Sequence, residues 1–156
     1  MEYPPCQPDP GSPATDPAVI AALYWEEVPL PTPRPRIAPG WAITGKRAFL
    51  ETNGQLRDVY TNETPVGRLE IVATGAYYVD WGDGESSGPH RREGQPWPGG
   101  DIVHEYQFVG TYDVVVTERW TATWSLGGKS GVLRELREIQ AVVSFGGRRS
   151  GRHRLA

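Results

Sequence analysis

Apolar and polar residues alternate through TYDVVVTERWTATWSL, residues 111–126. Seven of the eight side chains at its even positions are apolar, and Glu118 is the one charge among them. Because successive side chains of a strand point to opposite faces, this period of two predicts a long strand with one buried face. The most regular segment of the chain is therefore predicted to be β structure.

Strand patterns also occur on both sides of this segment. Asn53-Gly54 separates the runs 48–52 and 55–60, and this dipeptide between alternating runs predicts a hairpin. Residues 132–145 fit both a helical and a strand period, but the Gly-rich loop at 127–131 favours a returning strand. The sequence therefore predicts the all-β class.

The N-terminal region has a different composition. Eleven of the 15 prolines fall within the first 40 residues, so residues 1–38 are predicted to form an extended arm. Inside the arm, Asp16 can cap a helix and Pro17 suits its first position, which predicts a short helix at 17–27. The apolar residues expected to dock that helix on the core or on a partner are Val19, Ile20, Leu23 and Tyr24.

Composition excludes several classes of function. The net charge of −3 argues against nucleic-acid binding, since that needs clustered Lys and Arg. The chain contains no apolar run of about 18 residues, so no membrane-spanning helix is predicted. Residues 1–6 lack the features of a signal peptide, and one cysteine allows no internal disulfide.

Residues 147–156 are basic and are expected to be a disordered tail.

Two segments carry a family resemblance. VDWGDG, residues 79–84, and HEYQFVGTYDVVV, residues 104–116, resemble in this order the W-D-F-G-D-G turn and the H-x-Y-x-x-x-G-x-Y-x-V-x-V segment of polycystic-kidney-disease (PKD) domains. The resemblance implies an immunoglobulin-like β-sandwich of about seven strands, here residues 39–146. It also implies a binding, spacing or adhesive module that is extracellular or in the cell envelope.

A narrower similarity covers more of the chain. Segments 39–45, 79–84, 96–98 and 117–124 are similar to PKD-containing envelope or secreted proteins of high-GC Gram-positive bacteria. The chain departs from the PKD pattern in two ways. Val79 stands where the family usually has tryptophan, and residues 85–99 are longer than the corresponding connection.

The motif residues also have a direct physical interpretation. The glycines of the turn can adopt positive φ, and the aspartates beside them can accept backbone N–H bonds. The two tyrosines can bury their rings while their hydroxyls stay hydrogen-bonded. The residues to which the sequence assigns a structural role are Gly82, Gly84, His104, Tyr106, Gly110 and Tyr112.

Acidic residues give a possible calcium site. Asp80, Asp83 and Asp101 could converge at one end of a sandwich, where a hard cation collects oxygen ligands. However, the chain lacks a D-x-D-x-D-G ladder, and two of these residues are expected to cap the turn. No cofactor is therefore predicted, and calcium is kept as an alternative.

The candidate partner-binding residues are Trp97, Asp83 and Lys129, all in predicted loops. Trp97 lies in GQPWPGG, residues 94–100, where prolines stiffen the chain and either present the ring to a partner or fold it back over the protein. Lys129 belongs to a Gly-rich segment that is interpreted as a hairpin turn and not as a phosphate-binding loop.

Nothing in the sequence pairs a nucleophile with a base, so an enzyme is not predicted. The preferred function is a non-enzymatic module that binds a protein or a cell-wall glycan through loops at the end of the sandwich. The first alternative is a structural subunit of a pilus or phage particle that forms homo-oligomers through the N-terminal arm. The second is a calcium-binding adhesive module.

Overall fold

The computed structural model describes residues 16–37, 41–43 and 45–148. The described chain is mostly β structure with one short helix, which confirms the predicted all-β class. No described helix is long and apolar enough to cross a membrane. In chain order the elements are α1 (Pro17–Glu27), β1 (Trp41–Ile43), β2 (Arg47–Phe49), β3 (Arg57–Thr64), β4 (Gly67–Asp80), β5 (Ser86–His90), β6 (Val103–Glu105), β7 (Gly110–Leu126) and β8 (Lys129–Arg148).

The strands form two sheets. The larger sheet has the order β1-β8-β7-β4-β3, and β5 also pairs with β4. The smaller sheet consists of β2 and β6. The pairs β3–β4, β4–β5 and β2–β6 are antiparallel, whereas β1 runs parallel to β8.

The chain divides into two compact units. The first contains α1 and the segments Arg57–Thr74 and Trp120–Arg137, and the second contains Pro31–Leu56, Gly75–Arg119 and the residues from Glu138 onward. The long strands β4, β7 and β8 contribute residues to both.

The first unit includes the predicted helix, which has the expected bounds. Asp16 caps it, since its side chain accepts a hydrogen bond of 3.0 Å from the backbone N–H of Ala18. The predicted docking face is wrong in part. Leu23 is 59% exposed, while Trp25 is fully buried.

The burial of Trp25 explains why α1 docks through a different face from the predicted one. Its indole N–H donates to the carbonyl of Glu135 on β8 at 2.8 Å, so the large ring is buried with its polar atom satisfied. The guanidinium of Arg137 donates to the carbonyls of Trp25 and Val28, both at 2.7 Å. These carbonyls lie at the C-terminal end of α1, where a helix has unpaired acceptors and attracts a cation. Burial of Trp25 and the bonds of Arg137 therefore fix α1 on β8.

The second unit contains a core to which both sheets contribute. Ala48 comes from β2, Tyr77 and Val79 from β4, and Val114 and Val116 from β7. The buried residues that complete this cluster are Ile37, Leu50, Trp81, Ile102, Tyr106 and Phe145. The apolar face predicted for residues 111–126 is thus confirmed at its N-terminal end, where it meets the smaller sheet.

The predicted Asn53-Gly54 hairpin is wrong. β2 pairs with β6 and β3 pairs with β4, so the segment that contains this dipeptide joins strands of different sheets. The reason is that the Pro-rich segment occupies the place expected for the second strand. Arg36 and Glu51 exchange backbone hydrogen bonds of 2.8 and 2.9 Å, and the N–H of Arg34 donates to the carbonyl of Thr52 at 2.8 Å.

The ambiguous C-terminal segment is a strand. Residues 132–145 lie within β8, as the Gly-rich loop favoured. Gly147 and Arg148 also belong to β8, whereas the rest of the expected tail, residues 149–156, lies outside the described residues. Residues 1–15 of the expected arm also lie outside them.

Glu118 is a buried carboxyl group on the apolar face of β7. It is 0% exposed, and neither carboxyl oxygen has a hydrogen-bond partner within the described part of the chain. The group lies against Gly75, where an added Cβ would be 2.7 Å from Oε2. Burial in this surrounding raises the pKa of Glu118 to about 8, because the charged form loses its hydration.

This pKa makes stability depend on pH in a defined direction. The unfolded chain releases the Glu118 proton near pH 4.5, but the folded chain retains it up to about pH 8. The free energy of unfolding should therefore decrease as pH rises between these values, since the unfolded state binds fewer protons there.

We expect Glu118→Gln to remove most of this decrease, because an amide does not ionise. The change in melting temperature between pH 5 and pH 8 should be smaller in this variant by at least about 2–4 °C. Thermal unfolding followed by circular dichroism measures it. Glu70→Gln, at an exposed position, serves as the control. Equal pH dependence of the wild type and Glu118→Gln would contradict a buried neutral acid.

Candidate functional site

A loop between β5 and β6 is attached at both ends to residues 50–52. The N–H of Leu50 donates to the carbonyl of Ile102 at 3.0 Å, and the N–H of Thr52 donates to the carbonyl of Glu93 at 2.9 Å. The hydroxyl of Thr52, a fully buried polar residue, donates to the same Glu93 carbonyl. We call residues 93–102 the Trp97 loop, and these three bonds close its base.

Glycines allow this loop to pack closely on itself and on its support. Gly94 has φ of +78°, and a Cβ there would clash with the carbonyl of Leu50. A Cβ at Gly100 would clash with the carbonyl of Gln95. The N–H of Gly99 donates to the carbonyl of Pro96 at 3.1 Å and closes a tight turn around Trp97. The loop is therefore held by its backbone.

Trp97 lies at the tip of this turn with 74% of its surface exposed. Of the two alternatives that the sequence left open, the described structure has the ring facing solvent and not folded back. An exposed aromatic ring on a backbone that is already fixed is a common feature of recognition surfaces, since binding then orders few additional bonds.

A polar groove lies beside the Trp97 loop. Its volume is about 510 Å³, and most of its lining residues belong to the loop. The exposed side chains of Arg92 and Asp101 form an ion pair, with 3.6 Å between Nε of Arg92 and Oδ2 of Asp101. The residues that line the groove are Leu56, Arg92, Glu93, Gly94, Gln95, Gly99 and Asp101. Sequence analysis singled out only Asp101 of this set, and as a calcium ligand.

The turn at residues 80–85 has the predicted capping bonds. The side chain of Asp80 accepts from the N–H of Gly82 at 2.9 Å, and that of Asp83 accepts from the N–H of Glu85 at 3.1 Å. Gly82 has positive φ, and a Cβ there would lie 2.6 Å from the carbonyl of Asp113. Both aspartates therefore have a structural role in this turn.

The two PKD-like segments meet at His104. Its Nε2 atom lies 2.6 Å from an Asp83 carboxyl oxygen and 3.5 Å from a Glu85 oxygen. Its ring stacks on Trp81 with centroids 4.9 Å apart, and the Tyr106 hydroxyl donates to the Trp81 carbonyl at 2.8 Å. Burial alone would raise the pKa of Asp83, but the bonds from His104 and from the backbone lower it below its ordinary value.

The other assigned structural residues lie in or near this cluster. Tyr112 stacks on Tyr106 at 4.3 Å, and its hydroxyl donates to the Phe108 carbonyl at 2.6 Å. Gly110 begins β7 close to the Tyr112 ring. Gly84 has positive φ and open space around it.

The predicted calcium ligands are not brought together. Within the ranges that the structure describes, the one group of three potential metal ligands is Asp83, Glu85 and His104, whose ligand atoms lie within 4.8 Å of one another. Asp80 and Asp101 are not part of this group. Calcium prefers six to eight oxygens, whereas an imidazole with two carboxylates is closer to the preference of zinc.

Lys129 does not belong to the same unit as Asp83 and Trp97. It follows Gly127 and Gly128, which have φ of +58° and +77° and form the turn from β7 to β8 in the first unit. The segment after it is a strand and not the helix that a phosphate-binding loop requires. The hairpin interpretation is confirmed.

Sequence analysis missed a serine–histidine pair on β5. The hydroxyl of Ser87 lies 2.8 Å from Nε2 of His90, and it accepts the indole N–H of Trp81 at 3.0 Å. Burial lowers the pKa of His90, although the nearby charge of Asp101 opposes this. No spacing rule could have found the pair, because it depends on a register shift between β4 and β5.

Thr52→Val tests the attachment of the loop. The substitution keeps the shape of the side chain but removes one of the two donors to the Glu93 carbonyl, so we expect the free energy of unfolding to decrease by about 0.5–1.5 kcal/mol. Urea denaturation measures the decrease, and amide hydrogen exchange should become faster in residues 93–102. Thr61→Val, on the exposed face of β3, is the control. Unchanged exchange in the loop would show that its base is held in another way.

The chain was compared with known proteins by two kinds of search. No protein-family model matches it, and no curated protein matches it either. Any function assigned to this chain must therefore be argued from its own residues.

Proposed function

We propose that this chain is a non-enzymatic binding module of the extracellular space or cell envelope. It recognises a protein or a glycan, and the Trp97 loop makes the principal contact. The observation that carries the proposal is the exposed Trp97 ring on a loop whose base and interior are fixed by backbone contacts. Asp83, the second predicted contact residue, takes part in the turn at 80–85, and Lys129 is the first residue of β8.

An immunoglobulin-like sandwich of the PKD type is part of the proposal. In the second unit, core side chains from both sheets pack together, as expected for a sandwich. The two segments that carry the resemblance contact each other through His104, Asp83 and Trp81. This contact supports the proposal that the two segments belong to one fold.

A structural interpretation of the Ser87–His90 pair is consistent with a binding module. The Ser87 oxygen accepts a bond from Trp81, which is buried, and the pair joins residues within the short strand β5. Acyl transfer would also need donors for a developing oxyanion and a group to orient the imidazole. We therefore assign Ser87 and His90 to the stability of β5.

Trp97→Ala is expected to reduce capture of the natural partner roughly tenfold or more, as for a central aromatic contact residue. Tagged full-length protein is cross-linked to envelope fractions of the source cells, and captured proteins and glycans are identified by mass spectrometry and glycan analysis.

The matched control for this experiment is Phe108→Ala. Phe108 is 77% exposed and lies outside the Trp97 loop, in the segment between β6 and β7. Equal capture by Trp97→Ala and the wild type would exclude the Trp97 loop as the contact. A loss in both variants would indicate a nonspecific aromatic effect.

Exposed apolar residues in the first unit favour a second candidate function, a subunit of a larger assembly. Val132 is 69% exposed on β8, and Leu136 on the same strand and Leu23 on α1 are also exposed. Where exposed apolar side chains form a contiguous patch, that patch commonly contacts another protein chain. In this alternative, neighbouring copies pack on these exposed residues of the first unit.

Analytical ultracentrifugation of the full chain tests the assembly. Deletion of residues 1–38 would be a poor test, because Trp25 and Ile37 are buried. The sharper variant is Val132→Lys with Leu136→Lys, which should convert oligomers to monomers because charges would be buried at the contact. Val142→Lys, at an exposed apolar position outside the first unit, is the control. A monomeric wild type at all concentrations would exclude this alternative.

A further inference from the structure

We propose that the groove beside the Trp97 loop binds a neutral oligosaccharide. This inference rests on the proposed binding function and selects a glycan over a protein as its partner. It is drawn from the chemistry of the groove lining, the charge of that lining and the fixed position of the Trp97 loop.

The lining offers hydrogen-bonding groups of both kinds. Arg92 supplies N–H donors, Glu93 and Asp101 supply carboxylate acceptors, and the amide of Gln95 supplies both. Each hydroxyl of a sugar can donate one hydrogen bond and accept others, so a mixture of planar donors and acceptors is complementary to a sugar ring. Apart from the glycines, Leu56 is the one apolar residue in the lining.

A groove that binds a protein would be expected to have different lining residues. The centre of a protein interface is enriched in aromatic residues and depleted of Glu and Asp. Here the lining contains two acidic residues and no aromatic residue, and the exposed indole of Trp97 belongs to the loop that supplies part of this lining without lining the groove itself. The C–H face of a sugar can pack on such a ring while its hydroxyl groups turn toward the polar lining.

The charge of the groove selects among glycans. Glu93 and Asp101 outnumber Arg92, and Arg92 is already paired with Asp101 at 3.6 Å. The lining therefore carries a net negative charge that would repel polymers rich in phosphate or uronic acid. The ion pair is exposed and contributes little to stability, so both side chains can reorient toward a ligand at small cost.

The fixed backbone favours weak ligands such as sugars. Thr52 holds Glu93 through its N–H and its hydroxyl, the N–H of Leu50 holds Ile102, and the bond from Gly99 to Pro96 closes the tip of the loop. The groove is therefore formed before binding, and little conformational entropy is lost when a ligand enters. Its volume of about 510 Å³ is within the usual range for small-ligand sites.

The experiment uses the full-length chain on an array of neutral glycans that includes glucan, mannan, galactan, arabinan and N-acetylglucosamine oligomers, with tetragalacturonate as the charged comparison. Isothermal titration then measures affinity for the strongest array ligand. We expect saturable binding to at least one neutral glycan and weaker binding to tetragalacturonate.

Three variants locate the binding to the groove. Trp97→Ala and Gln95→Ala should each weaken binding by roughly tenfold or more, whereas Phe108→Ala should bind like the wild type. Both Trp97 and Gln95 are exposed, so these variants should retain the melting temperature of the wild type. Equal binding by Gln95→Ala and the wild type would overturn the assignment to the groove.

The outcomes separate this inference from the function on which it rests. Binding to no neutral glycan, or stronger binding to tetragalacturonate, overturns the glycan inference. If Trp97→Ala nevertheless loses capture of an envelope protein, the proposed binding function remains and its partner is a protein. If Trp97→Ala changes neither glycan binding nor capture, both proposals fail.

Discussion

The backbone of residues 50–52 is the element on which the second unit depends. Thr52 accepts the N–H of Arg34 from the Pro-rich segment and donates to Glu93 at the base of the Trp97 loop. Leu50 and Glu51 add bonds to Ile102 and Arg36. Because proline has no N–H, the Pro-rich segment can donate only through the residues between its prolines, and Arg34 and Arg36 are two of these. One short stretch thus organises two irregular segments that could not form a sheet by themselves.

The two loops of the second unit differ in what their side chains are free to do. In the turn at 80–85, Asp80 and Asp83 bind backbone N–H groups, and Asp83 also contacts His104. Apart from Ile102, whose side chain is buried in the core, the Trp97 loop is held mainly by backbone hydrogen bonds, so exposed side chains such as Trp97 and Gln95 are available to a ligand. This difference is why we place ligand contact in the Trp97 loop and stability in the turn.

The regular elements could be predicted from sequence because their signals are local. Alternation revealed β7, and Asp16 with Pro17 revealed α1 with its observed bounds. The predicted docking face of α1 and the Asn53-Gly54 hairpin failed because each depended on a distant partner. Leu23 fits an apolar stripe, but Trp25 is buried in its place, because its indole N–H donates to the carbonyl of Glu135, a residue distant in sequence. In the same way, Glu51 pairs with Arg36 of the Pro-rich segment and not with a residue after Asn53-Gly54. Within the candidate site, composition indicated Trp97, but the groove combines residues from separate segments that no spacing could have joined.

Gly75 and Glu118 show how two positions far apart in sequence can form one unit of variation. The carboxyl group occupies the volume that a side chain at position 75 would need. Within related sequences, a residue larger than glycine at position 75 should therefore be accompanied by a smaller residue at position 118. Substitutions at these two positions, which lie on neighbouring strands, should therefore be correlated.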